Sequence, residues 1–158
     1  MTMHAYVTEE SAEQAVAKLT PEGVDGVLTM TADPAAAETV GRWLAAEVRD
    51  HRIDVVVTWD EPQSVVLAHV VARELGCRIV RVLGAEGLVE LLDAPPPDAR
   101  GLLIAEPAAT VNSTDALIGV ADRAGVTPVV VAAVGSAGQR DETALALPVI
   151  ALGSGKAR

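Results

Sequence analysis

Three short β-branched runs constrain this chain more than any other feature: IDVVVT at 53–58, IVRVL at 79–83 and TPVVVAAV at 127–134. Each is mostly apolar on both faces and is followed by a polar or glycine-containing turn, the pattern of a strand covered from both sides. Residues 102–105 and 149–152 are shorter runs of the same kind. Helical segments fill the intervals. Asp33 and Pro34 supply an N-cap and a proline at the first helical position, and Val40, Trp43, Leu44 and Val48 then recur at helical spacing. Pro62 opens a second helix that stops at Gly76, Asn112 or Ser113 caps a third that stops at Gly125, and a weaker helix covers 11–19. Strands alternating with helices of this length predict βαβ units, hence an α/β fold with an open, mainly parallel sheet flanked by helices on both faces.

The chain of 158 residues, half of them apolar, suits one core and argues against two. Residues 1–158 are read as a single domain with an N-terminal segment over 1–25 and a flexible tail over 153–158. The stretch DAPPPDAR at 93–100 carries three consecutive prolines and reads as a rigid surface connection. A net charge of −10 disfavours nucleic acid and anionic membranes as partners. No stretch approaches the roughly 20 apolar residues of a membrane span, and the N-terminus lacks the pattern of a secretory signal. A cytoplasmic protein is expected. The single cysteine, Cys77, excludes an intramolecular disulfide and a Cys-based zinc site, and reads as a small buried thiol.

Several motifs fail on their spacing. Gly155-Lys156 lacks the rest of a phosphate-binding P-loop, Ser136 in GSAG lacks the spacing of a nucleophile elbow, and no G-x-G-x-x-G follows the first strong strand. His4, His51 and His69 lie far apart without ligand-spaced partners, so no metal site is expected from them. His69 reads as one polar position on a largely buried helix.

A parallel sheet binds ligands outside the carboxyl ends of its strands, which directs attention to 59–64, 84–101 and 106–114. The last has the best physical credentials: a strand, then Glu106, then small residues and hydroxyls leading into a helix N-terminus. Unpaired backbone N–H groups and the helix dipole make such a turn an anion cradle, with Thr110, Ser113 and Thr114 as further donors. The same hydroxyls also serve simply as helix caps, and the residues alone leave both readings open.

The chain also resembles the type I phosphoribosyltransferases, closest to the orotate phosphoribosyltransferase-like branch, over residues 26–152. TADPAAAETVGRWLAAEVRDHRIDVVV is similar to the helix and strand before that family's pyrophosphate loop, and VVLAHVVARELGCRIVRV to the helix and strand after it. GLLIAEPAATVNSTDALIGVADRAGVTPVVVAAV resembles the stretch holding the signature loop, in which two adjacent acids precede a Thr-Gly turn, and GSAGQRDETALALPVIAL resembles the closing segment. The resemblance implies that the acids, of which Glu106 takes the second place, bind the ribose hydroxyls of phosphoribosyl pyrophosphate (PRPP), that the turn with Thr110, Asn112, Ser113 and Thr114 holds its 5-phosphate, and that Mg2+ and the loop carrying Trp59, Asp60, Glu61 and Ser64 hold pyrophosphate. It further implies a homodimer, or a heteromer with a related subunit.

Against the family pattern this sequence departs at three loops. Ala105 stands where the first acid belongs, and Val111 where a glycine follows the threonine. A β-branched residue resists the tight turn that a phosphate loop needs. WDEPQS replaces small residues and sets Asp60 and Glu61 against pyrophosphate unless Mg2+ sits between them, although both also suit a helix N-terminus. The family's lysine-rich closing loop is GAEGLVELLDAPPPDARG here, without lysine and with Arg100 as its one cation, which leaves Arg81 as the candidate cation beside the site. Three functions stay open: a non-catalytic or regulatory relative that holds a small anionic or nucleotide-like ligand, a divergent Mg-dependent transferase acting on an unusual nitrogenous base, and a structural partner whose old site is filled by Trp59 and Val111.

Overall fold

The computed structural model describes residues 10–21, 28–105, 114–134 and 147–152. Helix α1 (Ala12–Leu19) starts on a reciprocal capping box between Ser11 and Gln14. Helix α2 (Pro34–Val48) starts on Asp33, whose side chain accepts from the Ala36 N–H at 3.0 Å. A single 3-10 turn (Arg49–His51) leads to β1 (Val55–Trp59), and α3 (Pro62–Leu75) ends at Gly76, whose φ of 67° closes the helix in the left-handed region. Then come β2 (Arg78–Ala85), β3 (Leu88–Leu91), β4 (Arg100–Ala105), α4 (Thr114–Arg123), β5 (Thr127–Val134) and β6 (Val149–Leu152).

The six strands form one sheet in the order β3-β2-β1-β4-β5-β6, parallel throughout except for the antiparallel β3. The fold class expected from the sequence is therefore the one observed. Alternation along the strands splits the core into two layers. Val56, Leu102, Ile104, Val130 and Ala132 face α1, α2 and α3, while Val55, Val57, Trp59, Leu103 and Val131 face α4. Helices α2 and α3 meet closely at Gly41, where an added Cβ would lie 2.4 Å from Val70 Cγ1. Outside that seam Arg73 and Arg42 pair with Glu38 and Glu74 in an exposed network, which adds little stability.

The stretch from 84 to 101, expected as a loop, begins as a β-hairpin. Strand β2 runs on to Ala85, reverses at Glu86-Gly87 and returns as β3. Both turn residues have positive φ, 50° and 81°, as a type I′ hairpin turn requires. Glu in the first turn position is unusual, so the hairpin lacked its ordinary Asn-Gly or Asp-Gly signal. Arg100 also differs from expectation. It opens β4 at the amino end of the sheet, where its guanidinium donates to the His51 and Arg52 carbonyls at 2.9–3.2 Å, away from the carboxyl-end loops. His69 is an exposed polar position on α3, whose neighbours Leu67, Ala68, Val70 and Val71 are buried, as the sequence suggested. Residues 93–99 between β3 and β4 form no helix or strand, as their prolines require. No helix among the described residues is long and apolar enough to cross a membrane.

Candidate functional site

The carboxyl ends of β1, β2 and β4 lie side by side, because Val55–Thr58 pairs in register with both Arg78–Arg81 and Gly101–Ile104. This is the edge at which a parallel sheet presents its loops to a ligand. Glu106, Thr110, Asn112 and Ser113 lie outside the described residues, as do Val111 and the 153–158 tail. Thr114 is the first residue of α4 and is half-buried, so the helix N-terminus expected to close this loop is in place after β4.

The β1 end is described in full. Trp59 closes the strand with its side chain 2% exposed, packed into the α4 layer. Its indole is part of the core and offers no face to a ligand. Asp60 follows, its N–H donating to the Val82 carbonyl at 2.8 Å and so continuing the β1–β2 ladder for one more residue. Glu61 is the N-cap residue of α3, exposed and without a side-chain cap bond. Ser64 is buried in the first turn of α3. Gln63 turns the other way and accepts the Met30 N–H through Oε1, tying the turn before α2 to the start of α3.

Two features of this edge are not legible from motifs. Thr58 is fully buried, and among the described residues its hydroxyl has no hydrogen-bond partner. Most buried polar side chains are paired, so an orphan hydroxyl one residue before a ligand-facing loop is an exception with an energetic cost. The second is the environment of Arg81. Its Nε donates to Asp93 Oδ2 at 2.9 Å, its Nη2 to Asp93 Oδ1 at 3.2 Å and its Nη1 to Asp60 Oδ1 at 3.4 Å, while its backbone N–H also reaches Asp93 at 3.0 Å. The two-point contact to Asp93 has the geometry of a fork on a carboxylate. Hydrogen bonding to Asp93 and its charge raise the Arg81 pKa, and Arg81 in turn holds the Asp93 carboxyl below the ordinary carboxylate range.

The structure therefore brings Asp60 and Arg81 together, but adds Asp93, which the sequence presented only as the start of a proline-rich connection. Its signal was not local: it depends on the hairpin carrying residue 93 back to β2. No other basic residue occurs in 59–64 or 82–93, while Asp60, Glu61, Glu86, Glu90 and Asp93 are all acidic. Among the described residues no cluster of three or more His, Cys, Asp or Glu is placed to hold a metal ion.

At the opposite, amino end of the sheet, an open cleft of about 490 Å³ is lined by Asp54, Cys77, Arg78 and Pro96 among others. Cys77 is partly buried, and desolvation, with Asp54 adding to it, raises its thiol pKa. This is the direction of an unreactive thiol.

No protein-family model matches the chain, and no curated protein does. Solved structures do match. Adenine phosphoribosyltransferase from Saccharomyces cerevisiae, complexed with an imino-altritol bisphosphate and adenine, superposes with a TM-score of 0.67 at 16% identity, covering 89% of this chain and 97% of that one. The adenine enzyme of Rhodothermus marinus gives 0.67 at 19% identity, with 90% and 97% covered. Orotate phosphoribosyltransferase from Mycobacterium tuberculosis H37Rv, in complex with inorganic phosphate, gives 0.64 at 18% identity, with 90% and 93% covered. Near-complete coverage of both chains, with the same sheet and flanking helices, means that this protein carries the α/β fold of the type I phosphoribosyltransferases.

Proposed function

We propose that this chain is a phosphoribosyltransferase-like protein without transferase competence, a non-catalytic or regulatory relative that holds a small anionic or nucleotide-like ligand over residues 106–114 and acts through self-association or by pairing with an active relative. The observation that carries this reading is the neutralisation of Arg81. Departure of pyrophosphate needs cationic groups aimed at the charge that develops on it. Here Arg81 of β2, the cation whose guanidinium reaches this loop, is engaged by Asp93 and Asp60, and the acids of 59–64 and 82–93, stretches without a basic residue, repel a polyanion. Burial of Trp59 supports the same reading, since it takes the best stacking group away from an incoming base. The inorganic phosphate bound by the Mycobacterium tuberculosis neighbour makes a single phosphate group the natural first probe.

A second reading is a divergent transferase in which Mg2+ screens Asp60 and Glu61 from pyrophosphate. What favours it is Glu61, exposed at the start of α3 and without a cap bond.

Calorimetric titration separates the two. PRPP with Mg2+ and, separately, nucleoside monophosphates are titrated into the protein, and pyrophosphate release is followed with a panel of bases. Binding of monophosphates without pyrophosphate release is the expected result. Saturable PRPP binding with turnover on any base overturns it, and silence towards both ligands favours a purely structural partner. Restoring the lost groups with Ala105→Asp and Val111→Gly is expected to raise PRPP affinity; no gain would mean that 106–114 is not a sugar-phosphate loop.

A further inference from the structure

The β2–β3 hairpin ends the sheet in an edge that nothing among the described residues covers. Its exposed side chains are apolar to an unusual degree: Leu88 is 76% exposed, with Leu83, Val89 and Leu92 at 38–39%. They are the large exposed hydrophobic residues of the described protein, and all belong to this one element and its flank. Of the devices that blunt a sheet edge, this strand has shortness and one charge, Glu90, but no lysine, proline or bulge.

The hydrogen-bond pattern shows which groups are free. Leu92 donates to the Arg81 carbonyl at 2.9 Å, so residues 81 and 92 form a bonded pair. Counting along the antiparallel register, Leu83 with Glu90 and Ala85 with Leu88 are bonded pairs too, which points the backbone N–H and C=O of Val89 and Leu91 outward. Side chains alternate in step. Leu88 and Glu90 share one face, where Leu83 lies opposite Glu90, and Val89 and Leu91 share the other, where Leu91 packs beside the α4 layer.

Charge selects the occupant. Between Arg81 and Arg100 the sequence holds Glu86, Glu90, Asp93 and Asp98 and no cation. A second copy leaves Glu90 without an opposite charge: the antiparallel register that pairs Val89 with Leu91 of another copy sets Glu90 directly against itself, and the registers that pair Val89 or Leu91 with itself set Glu90 against Leu88 or Leu92. We infer that β3 is a docking strand for an extended basic segment of a partner protein, which adds to the sheet through the free backbone groups of Val89 and Leu91. That segment carries an apolar residue beside Leu88 and, two positions along the same face, a Lys or Arg beside Glu90. The inference does not rest on a ligand being held over residues 106–114.

The test uses two capped octapeptides, one alternating valine and lysine and the other valine and glutamate, titrated into the full-length 15N-labelled protein. The valine-lysine peptide shifts the Val89 and Leu91 amides and the valine-glutamate peptide does not. Val89→Pro removes an outward N–H, exchanges the valine side chain for an apolar ring and leaves the β2–β3 hydrogen bonds in place; it weakens binding about fivefold or more. Glu90→Lys reverses the preference between the peptides, whereas Glu47→Lys, an equal change of net charge on the exposed side of α2, does not. Equal weakening by Glu47→Lys, unchanged binding to Val89→Pro, or dimerisation through β3 in light scattering each overturns the inference.

Discussion

Two glycines in the middle of helices give opposite predictions for one substitution. Replacing a mid-helix glycine by alanine ordinarily stabilises by about 1 kcal/mol, because glycine loses more backbone entropy on folding. At Gly119 in α4 an added Cβ meets only Arg123 Nη1, at 3.4 Å, the far end of a flexible side chain that can swing away. Gly119→Ala is therefore expected to keep the full gain, which for a chain of this size raises Tm by about 2–4 °C. At Gly41 in α2 the same Cβ would sit 2.4 Å from Val70 Cγ1 and 2.6 Å from Val70 Cβ. The second atom is the important one, since no rotation about χ1 moves a Cβ, so α2 and α3 must part. Overpacking of this kind costs about 1–3 kcal/mol, and an overlap that cannot relax through a rotamer belongs at the upper end. After subtracting the propensity gain, Gly41→Ala is expected to lose about 1–2 kcal/mol and several degrees of Tm. Thermal unfolding followed by far-UV circular dichroism, with urea midpoints as a cross-check, measures both variants. If Gly41→Ala stabilises as Gly119→Ala is expected to, the close approach of α2 and α3 at Gly41 is wrong.

Further expectations rest on single sites. Gly101→Ala in β4 would place a Cβ 2.6 Å from Val126 Cγ1 and is expected to lower the urea midpoint. Thr58→Val keeps the shape and removes the unpartnered buried hydroxyl; it is expected to stabilise by about 1 kcal/mol in the absence of ligand, and a fall in stability would show that the hydroxyl has a partner. The Asp93 carboxyl has a folded pKa below its ordinary value, so its contribution is complete above about pH 4 and is lost as pH falls through the depressed value. The Arg81 and Leu92 amide resonances should accordingly stay constant from neutrality to that point and shift only below it, and Asp93→Asn should abolish the transition. The partly buried Cys77 thiol, its pKa raised by desolvation, should react with an aromatic disulfide at pH 8 more slowly than free cysteine; faster reaction would contradict its surroundings.

The sheet was legible because its evidence is local. Runs such as TPVVVAAV at 127–134 state burial on both faces, Asp33-Pro34 and Gly76 state where helices begin and end, and alternation of the two leaves few topologies. The fold of the phosphoribosyltransferases was expected from the resemblance of those segments to that family, not from their periodicity. The short edge strand β3 did not, because LVEL has no distinctive pattern of its own and its Glu-Gly turn lies outside the common hairpin signals.

The sequence by itself therefore determined the class of fold, the position of the carboxyl-end loops and the acidity around them, all of which depend on composition and on periodicity within a dozen residues. Only the tertiary structure decided the states of individual groups there: Trp59 drawn into the core, Arg81 held by an aspartate twelve positions away, Thr58 left without a partner, and a hydrophobic hairpin edge open to solvent. The physical reason is that charge pairing, desolvation and strand edges arise from contacts between segments, and those contacts exist only once register and topology have been set.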